Sequence, residues 1–524
     1  MVLRLIFKLF IIRICVVVVA LTVCNTGLAN NDIFIPFEKS DDKFNIRLSE
    51  SGEAILRKIK NDIKNRKFAE AFIKTSGITD SINKELIQTF ITAEGFKEIN
   101  ALSYKNFINL MSFNTNNSYL PFFDKFHSKI EKYYVNNSNV KFEDVKNYFN
   151  KFDPKNVDTY IKLLKQEDDF IFENYVGEEL ERRKNNLNRK IISVWLKQDF
   201  SGEGNLLFYN KYKFVIGEEN LIKKMEWLSF DKDKDKLKSL LDILKNNDYK
   251  ALFSAIIKLD DNPKYISDII RTVPRKLRDD ETLSFAKAKY YRKNKKDKEL
   301  LKILYSMKDS VSKYPTKWWL YRHIYVRNLI RDKEYKRAYY IVANHGKLSR
   351  NDTYDAEWLS GWIALRFLNK PKVALEHFNY IFNHSSYPIS SSKASYWLGR
   401  TYQKLDNKQQ MLYWYKKSAE FPLTFYGQVS SNMLSEFENN DDYEIKIPKR
   451  PKVSNDTIAE NNKIIRFAYF YYKYLNENER AFDLFKTAIS TANSEDEIIY
   501  TINLISTFDD YNFLISLAKV ANYR

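Results

Sequence analysis

The sequence predicts an all-α fold, an α-superhelix of short helix pairs, and three observations carry that expectation. Apolar residues recur at helical spacing through most of the chain. Only 12 glycines and 11 prolines occur in 524 residues, too few to punctuate a β-rich fold. A unit of about 36 residues repeats in the C-terminal half, the mark of stacked helix pairs. With 44% hydrophobic and 29% charged residues the chain has the balance of a folded protein. Its length exceeds what one hydrophobic core organises, so it must divide into domains or extend as a repeat. The Lys, Asn, Ile and Tyr excess matches an AT-rich genome, and composition by itself indicates no function.

The first 29 residues read as an export signal. Arg4, Lys8 and Arg13 precede an apolar run from Ile14 to Val23, and Gly27 and Ala29 supply the small residues before a cleavage point after Ala29. The run is too short to span a membrane, and no later stretch approaches ~20 apolar residues. Lipidation at Cys24 is the alternative, but Thr22 and Val23 suit it poorly. Both cysteines, Cys15 and Cys24, lie in this leader, so the exported chain would carry neither a disulfide nor a cysteine metal site. The leader holds three of the charges behind the net +19, leaving a basic mature chain. Export argues against nucleic acid and leaves anionic cell-envelope polymers as partners, although lysine-rich solvated helix faces also account for the charge.

Residues 30–48 read as irregular. A helical stripe of Ile55, Ile59, Ile63 and Phe68 follows, and Asp153-Pro154 opens another helix with Tyr160, Leu163 and Leu164. Helices of about 10–16 residues fill 170–310, with Asn, Asp and Lys in the links where glycine is usual. From about 314 to 422 the build becomes tetratricopeptide-like: residues 318–346, 356–384 and 394–422 each read as helix, turn, helix, and Ala338, Ala374 and Met411 correspond at spacings of 36 and 37. Gly361, between Trp358 and Trp362, and Gly399, beside Trp397, fall where the paired helices would meet, with Tyr402, Tyr426 and Gly427 as further packing positions. A charged segment with Pro448 and Pro451, 438–457, separates the superhelical domain (30–437) from a final helical region, 458–524. There "FYYKYLNENER" reads as a packing face.

The stretches "AEWLSGWIALRFL" (356–368), "ALEHFNYIF" (374–382), "ASYWLGRTYQKL" (394–405) and "WYKKSAEFPLTFYGQ" (414–428) resemble the superhelical region of the soluble lytic murein transglycosylases. The similarity is dense over 310–430, fainter at "VWLKQDF" (194–200) and "ETLSFAKAKYYRK" (281–293), and returns at "NFLISLAKVANYR" (512–524), similar to that family's linker region. The resemblance implies a periplasmic, peptidoglycan-engaging ring or horseshoe of helices. In the family a glutamate in Glu-Ser-x-Phe, followed by Gly-Leu-Met-Gln, cleaves the MurNAc–GlcNAc bond to a 1,6-anhydro product, which requires a carboxyl kept neutral in a desolvated cleft. Here Glu50-Ser51 is followed by Gly52-Glu53, and no Gly-Leu-Met-Gln occurs. The expectation is therefore a chain without the catalytic domain and with no catalytic residue of its own. Its partners would be peptidoglycan and a separately encoded catalytic domain or other periplasmic protein. The alternative function is a periplasmic scaffold that binds a protein. No cofactor or metal is expected: His127, His323, His345, His377 and His384 are dispersed, and although His377 and His384 share a helix face, no third ligand joins them.

Overall fold

The computed structural model describes residues 46–99, 101–307, 312–438, 457, 461–508 and 510–521. The leader (1–29) and nearly all of the connecting segment 438–457 lie outside these residues. Among them the protein is all-α, with 25 α-helices and no strand. The described residues fall into two compact units, one from Ser51 to the end of the helix at 438, the other formed by 46–50 with the C-terminal helices.

The larger unit begins with α1 (Glu50–Lys64), α2 (Phe68–Lys74), α3 (Ser81–Glu98), α4 (Tyr104–Asn116), α5 (Phe123–Asn136) and α6 (Phe142–Lys151). In α1 the buried stripe is Leu56, Ile59 and Asp62, with Ile55 and Ile63 at its edges. It continues with α7 (Val157–Asn174), α8 (Gly177–Lys197), α9 (Gly202–Leu228), α10 (Asp235–Leu241), α11 (Asn247–Asp260) and α12 (Ser267–Arg271). Tyr160, Leu163 and Leu164 of α7 are all buried, as their spacing requires. Within 170–310 two helices exceed the expected 10–16 residues. α8 runs for 21 because Glu179 pairs with both Arg182 and Arg183 one turn on, so its polar first half has no breaker. α9 is two helices joined end to end, with Gly217 at φ 65° between them.

Four helix pairs close this unit: α13 (Glu281–Lys293) with α14 (Asp297–Ser306), α15 (Pro315–Arg331) with α16 (Tyr335–Ala343), α17 (Arg350–Arg366) with α18 (Pro371–His384), and α19 (Pro388–Lys404) with α20 (Lys408–Ala419); α21 (Phe425–Glu438) follows. Most of these helices pack chiefly on their neighbours in sequence, and α17 also touches α19. Every pair turns through a left-handed residue: Lys295, Lys333, Asn369 and Asp406, at φ 55°, 62°, 50° and 54°. Glycine usually occupies such a helix end, and here charged and amide residues take its place. The turn at Lys295 places the first such pair at 281–306, ahead of the stretch where the sequence repeat becomes visible. Ala338, Ala374 and Met411 are buried at matching positions in α16, α18 and α20.

In the smaller unit, α22 (Lys463–Phe470) is capped by Asn462 and runs into a π-turn at Tyr471–Leu475. Asn476, at φ 57°, then reverses the chain into α23 (Asn478–Thr491), followed by α24 (Glu495–Ile505) and α25 (Tyr511–Ala521). Tyr472 stacks on Phe508 at 3.9 Å, and Phe485 and Phe513 close the core. The segment before α1 belongs here, since the Leu48 amide donates to the Tyr474 hydroxyl at 2.9 Å and Ile46 and Leu48 are buried.

Candidate functional site

Close helix packing sets the geometry of α17 and α19. A Cβ at Gly361 would lie 2.7 Å from the Phe378 ring of α18, and one at Gly399 would lie 2.7 Å from the Tyr415 ring of α20. Both rings are fully buried and have no room to yield. Gly427, in the first turn of α21, is tighter still, because a Cβ there would meet the Phe421 carbonyl oxygen at 2.0 Å. Trp397 stacks on Phe378 at 5.9 Å, Tyr426 lies 5.2 Å from the Tyr396 ring, and Tyr402 packs beside Met411, Tyr415 and Leu434.

With the second helices drawn in on one side, the first helices α15, α17 and α19 present their other face. A cavity of about 400 Å³ opens there between His323, Arg327 and Ile330 of α15, Asp355, Trp358, Leu359 and Trp362 of α17, and Lys393 of α19. The α17 residues follow one another at i, i+3, i+4 and i+7, a single helix face. The Trp358 and Trp362 rings are 5.8 Å apart with 14° between their planes, and both line the cavity. The Lys393 ammonium lies 3.8 Å from the centre of the Trp358 ring. Burial pushes Lys393 below the ordinary lysine range against the opposing pull of Asp355, and burial with Arg327 lowers His323. A neutral imidazole, a half-buried ammonium and an exposed guanidinium beside two indoles suit a ligand with a flat apolar face and acidic groups.

A second cavity, about 300 Å³, follows on the same two helices, lined by Leu365 and Arg366 of α17 and Arg400, Gln403 and Lys404 of α19. Three cations and no carboxylate line it. Behind α17, Glu357 holds the helices together. Its carboxylate meets His377 of α18 at 2.5 Å and His345 of the preceding turn at 3.1 Å, and His377 reaches the Tyr339 hydroxyl of α16 at 3.0 Å. Burial opposes its ionisation, yet the two histidine hydrogen bonds hold the Glu357 carboxyl at about 2.

Glu50 is exposed at the start of α1, in no desolvated cleft. His127 meets the Tyr148 hydroxyl at 2.9 Å in the core, and His384 bonds the Tyr380 carbonyl. Among the described residues no group of His, Cys, Asp and Glu could hold a metal ion, and no helix is long and apolar enough to cross a membrane. The sequence reading singled out the tryptophans and glycines and missed Arg327, Lys393, Arg366 and Arg400. The only signal for these was their helical spacing from residues already noted.

Two solved structures share this architecture. The lytic transglycosylase Slt of Pseudomonas aeruginosa, solved as an inactive mutant, is 13% identical with a TM-score of 0.57, over 90% of this chain and 71% of that one. The 70-kDa soluble lytic transglycosylase in complex with bulgecin A is 11% identical with a TM-score of 0.50, over 90% of this chain and 70% of that one. The chain has the fold of the soluble lytic transglycosylases. At such identities the likeness carries the superhelical fold and nothing finer. No protein-family profile matches the sequence. No curated protein matches it either.

Proposed function

We propose that this chain is a periplasmic α-superhelix, exported by its leader, that engages peptidoglycan in the manner of the non-catalytic part of a soluble lytic transglycosylase. The carrying observation is the shared fold over 90% of the chain with two lytic transglycosylases. The indole-floored and cationic cavities on α15, α17 and α19 support it, since a glycan offers flat CH faces and murein peptides offer carboxylates. In this reading the helix pairs are tetratricopeptide-like units. Trp358, Gly361, Trp362, Trp397, Gly399, Tyr402, Tyr426 and Gly427 keep them in register, and cleavage falls to a domain bearing the Glu-Ser-x-Phe motif. The test is co-sedimentation of the purified chain with purified murein sacculi. Retention at low salt without release of 1,6-anhydro products is expected, and absence from the pellet at low salt would overturn the reading.

A second reading, a scaffold for a protein partner, is favoured by the adjacent Leu423 and Phe425, which are 70% and 67% exposed. Capture of one stoichiometric protein from periplasm, with no retention on sacculi, would establish it instead.

A further inference from the structure

We propose that the two cavities along α17 and α19 form one binding strip for a peptide-bearing amino sugar, its indole end taking the sugar ring and its cationic end the peptide carboxylates. The proposal rests on the peptidoglycan reading and assigns it a place and a ligand. Among the described residues, no hydrogen bond or ion pair to the chain engages Arg327, Lys393, Arg366, Arg400 or Lys404. Cations elsewhere are often tied down: Lys236 to Asp199 and Asp231, Lys276 to Asp248, Arg337 to Glu334. Lys393 is half-buried, with its ammonium 3.8 Å from the centre of the Trp358 ring and no hydrogen bond or ion pair to Asp355, the carboxylate that shares its cavity. A half-buried ammonium with no hydrogen-bonded carboxylate gains from a ligand that brings one.

The cavities adjoin along both helices. Trp362 and Arg366 are one turn apart on α17, about 6 Å along the axis, and Lys393 and Arg400 are two turns apart on α19, about 10 Å. The volumes, about 400 and 300 Å³, are those of small-ligand sites. Chemistry changes along the strip from aromatic with mixed charge to wholly cationic. A peptide-free glycan would leave the cationic end empty, and a simple anion would leave the indoles unused. An amino sugar whose peptide ends in carboxylates fills both.

The experiment is isothermal titration of the full chain with soluble GlcNAc–MurNAc tetrapeptide, with the same disaccharide lacking peptide, and with inorganic phosphate. The variants are the double Arg366→Glu/Arg400→Glu and the single Trp362→Leu, their folding checked by circular dichroism. The expected result is at least about tenfold weaker binding of the peptide-bearing ligand by the double variant, with the peptide-free disaccharide unchanged; Trp362→Leu should weaken both. Wild-type affinity in the folded double variant, or phosphate binding as tight as the muropeptide, overturns the strip. Retention of wild-type chain on sacculi, measured alongside, reads the peptidoglycan proposal separately. If sacculi retain wild type and double variant equally while muropeptide binding is unaffected, the strip fails and the function stands.

Discussion

Gly361 and Gly399 stand in equivalent positions, each facing a fully buried ring on the second helix of its own pair. Alanine at either site adds one methyl group where the nearest ring atom is 2.7 Å away. Gly361→Ala and Gly399→Ala should each destabilise by about 1–3 kcal/mol in urea unfolding, as overpacked cores do. Combining Gly361→Ala with Phe378→Leu should recover part of the loss, whereas additive losses would mean that the ring is not the obstacle. The left-handed turn residues run the other way. Lys333 is exposed at φ 62°, a conformation that strains any side chain, so Lys333→Gly should raise stability by up to about 1 kcal/mol. At this scale the sequence was informative about where a small residue sits and silent about what it faces. Gly361 between two tryptophans can be seen, but Phe378 is seventeen residues away on another helix.

Among the helices, the pairs from α13 to α20 repeat one plan, a long first helix, a three- or four-residue turn and a second helix. The sequence made the last three pairs visible through their aromatic and alanine positions. It showed α13 as a helix but hid its pairing with α14, whose tell-tale feature is the backbone angle of Lys295, and it read the 170–310 stretch as helices shorter than α8 and the joined helices of α9. Glu357 joins three neighbouring elements through His345 and His377, and His377 extends the link to Tyr339. Because its carboxyl is held at about 2, below the ordinary 4.5, its stabilising effect is complete above about pH 4.5 and is lost as pH falls toward 2. The urea midpoint should therefore fall more steeply between those pH values in the wild type than in Glu357→Gln. Parallel curves would show that the histidine bonds do not hold the carboxylate.

For the molecule as a whole, the fold class was legible because it rests on redundant evidence: helical periodicity throughout, scarce breakers and a repeat. The candidate site was legible only in its tryptophans, because its residues come from three helices separated by some thirty residues each and its cations are unremarkable in the sequence. Only folding places Arg327, Trp362 and Lys393 around one cavity. A site of that character attracts an acidic polymer over distances that salt shortens, with a screening length of about 10 Å at 0.1 M. The measurement that bears most directly on the account is the affinity of the purified chain for murein sacculi across ionic strengths from about 0.05 to about 0.5 M, a range that takes the screening length from above 10 Å to well below it. Tight retention at the low end and a steep, continuous weakening with salt are expected of a murein-engaging superhelix; no binding at any ionic strength would contradict that function.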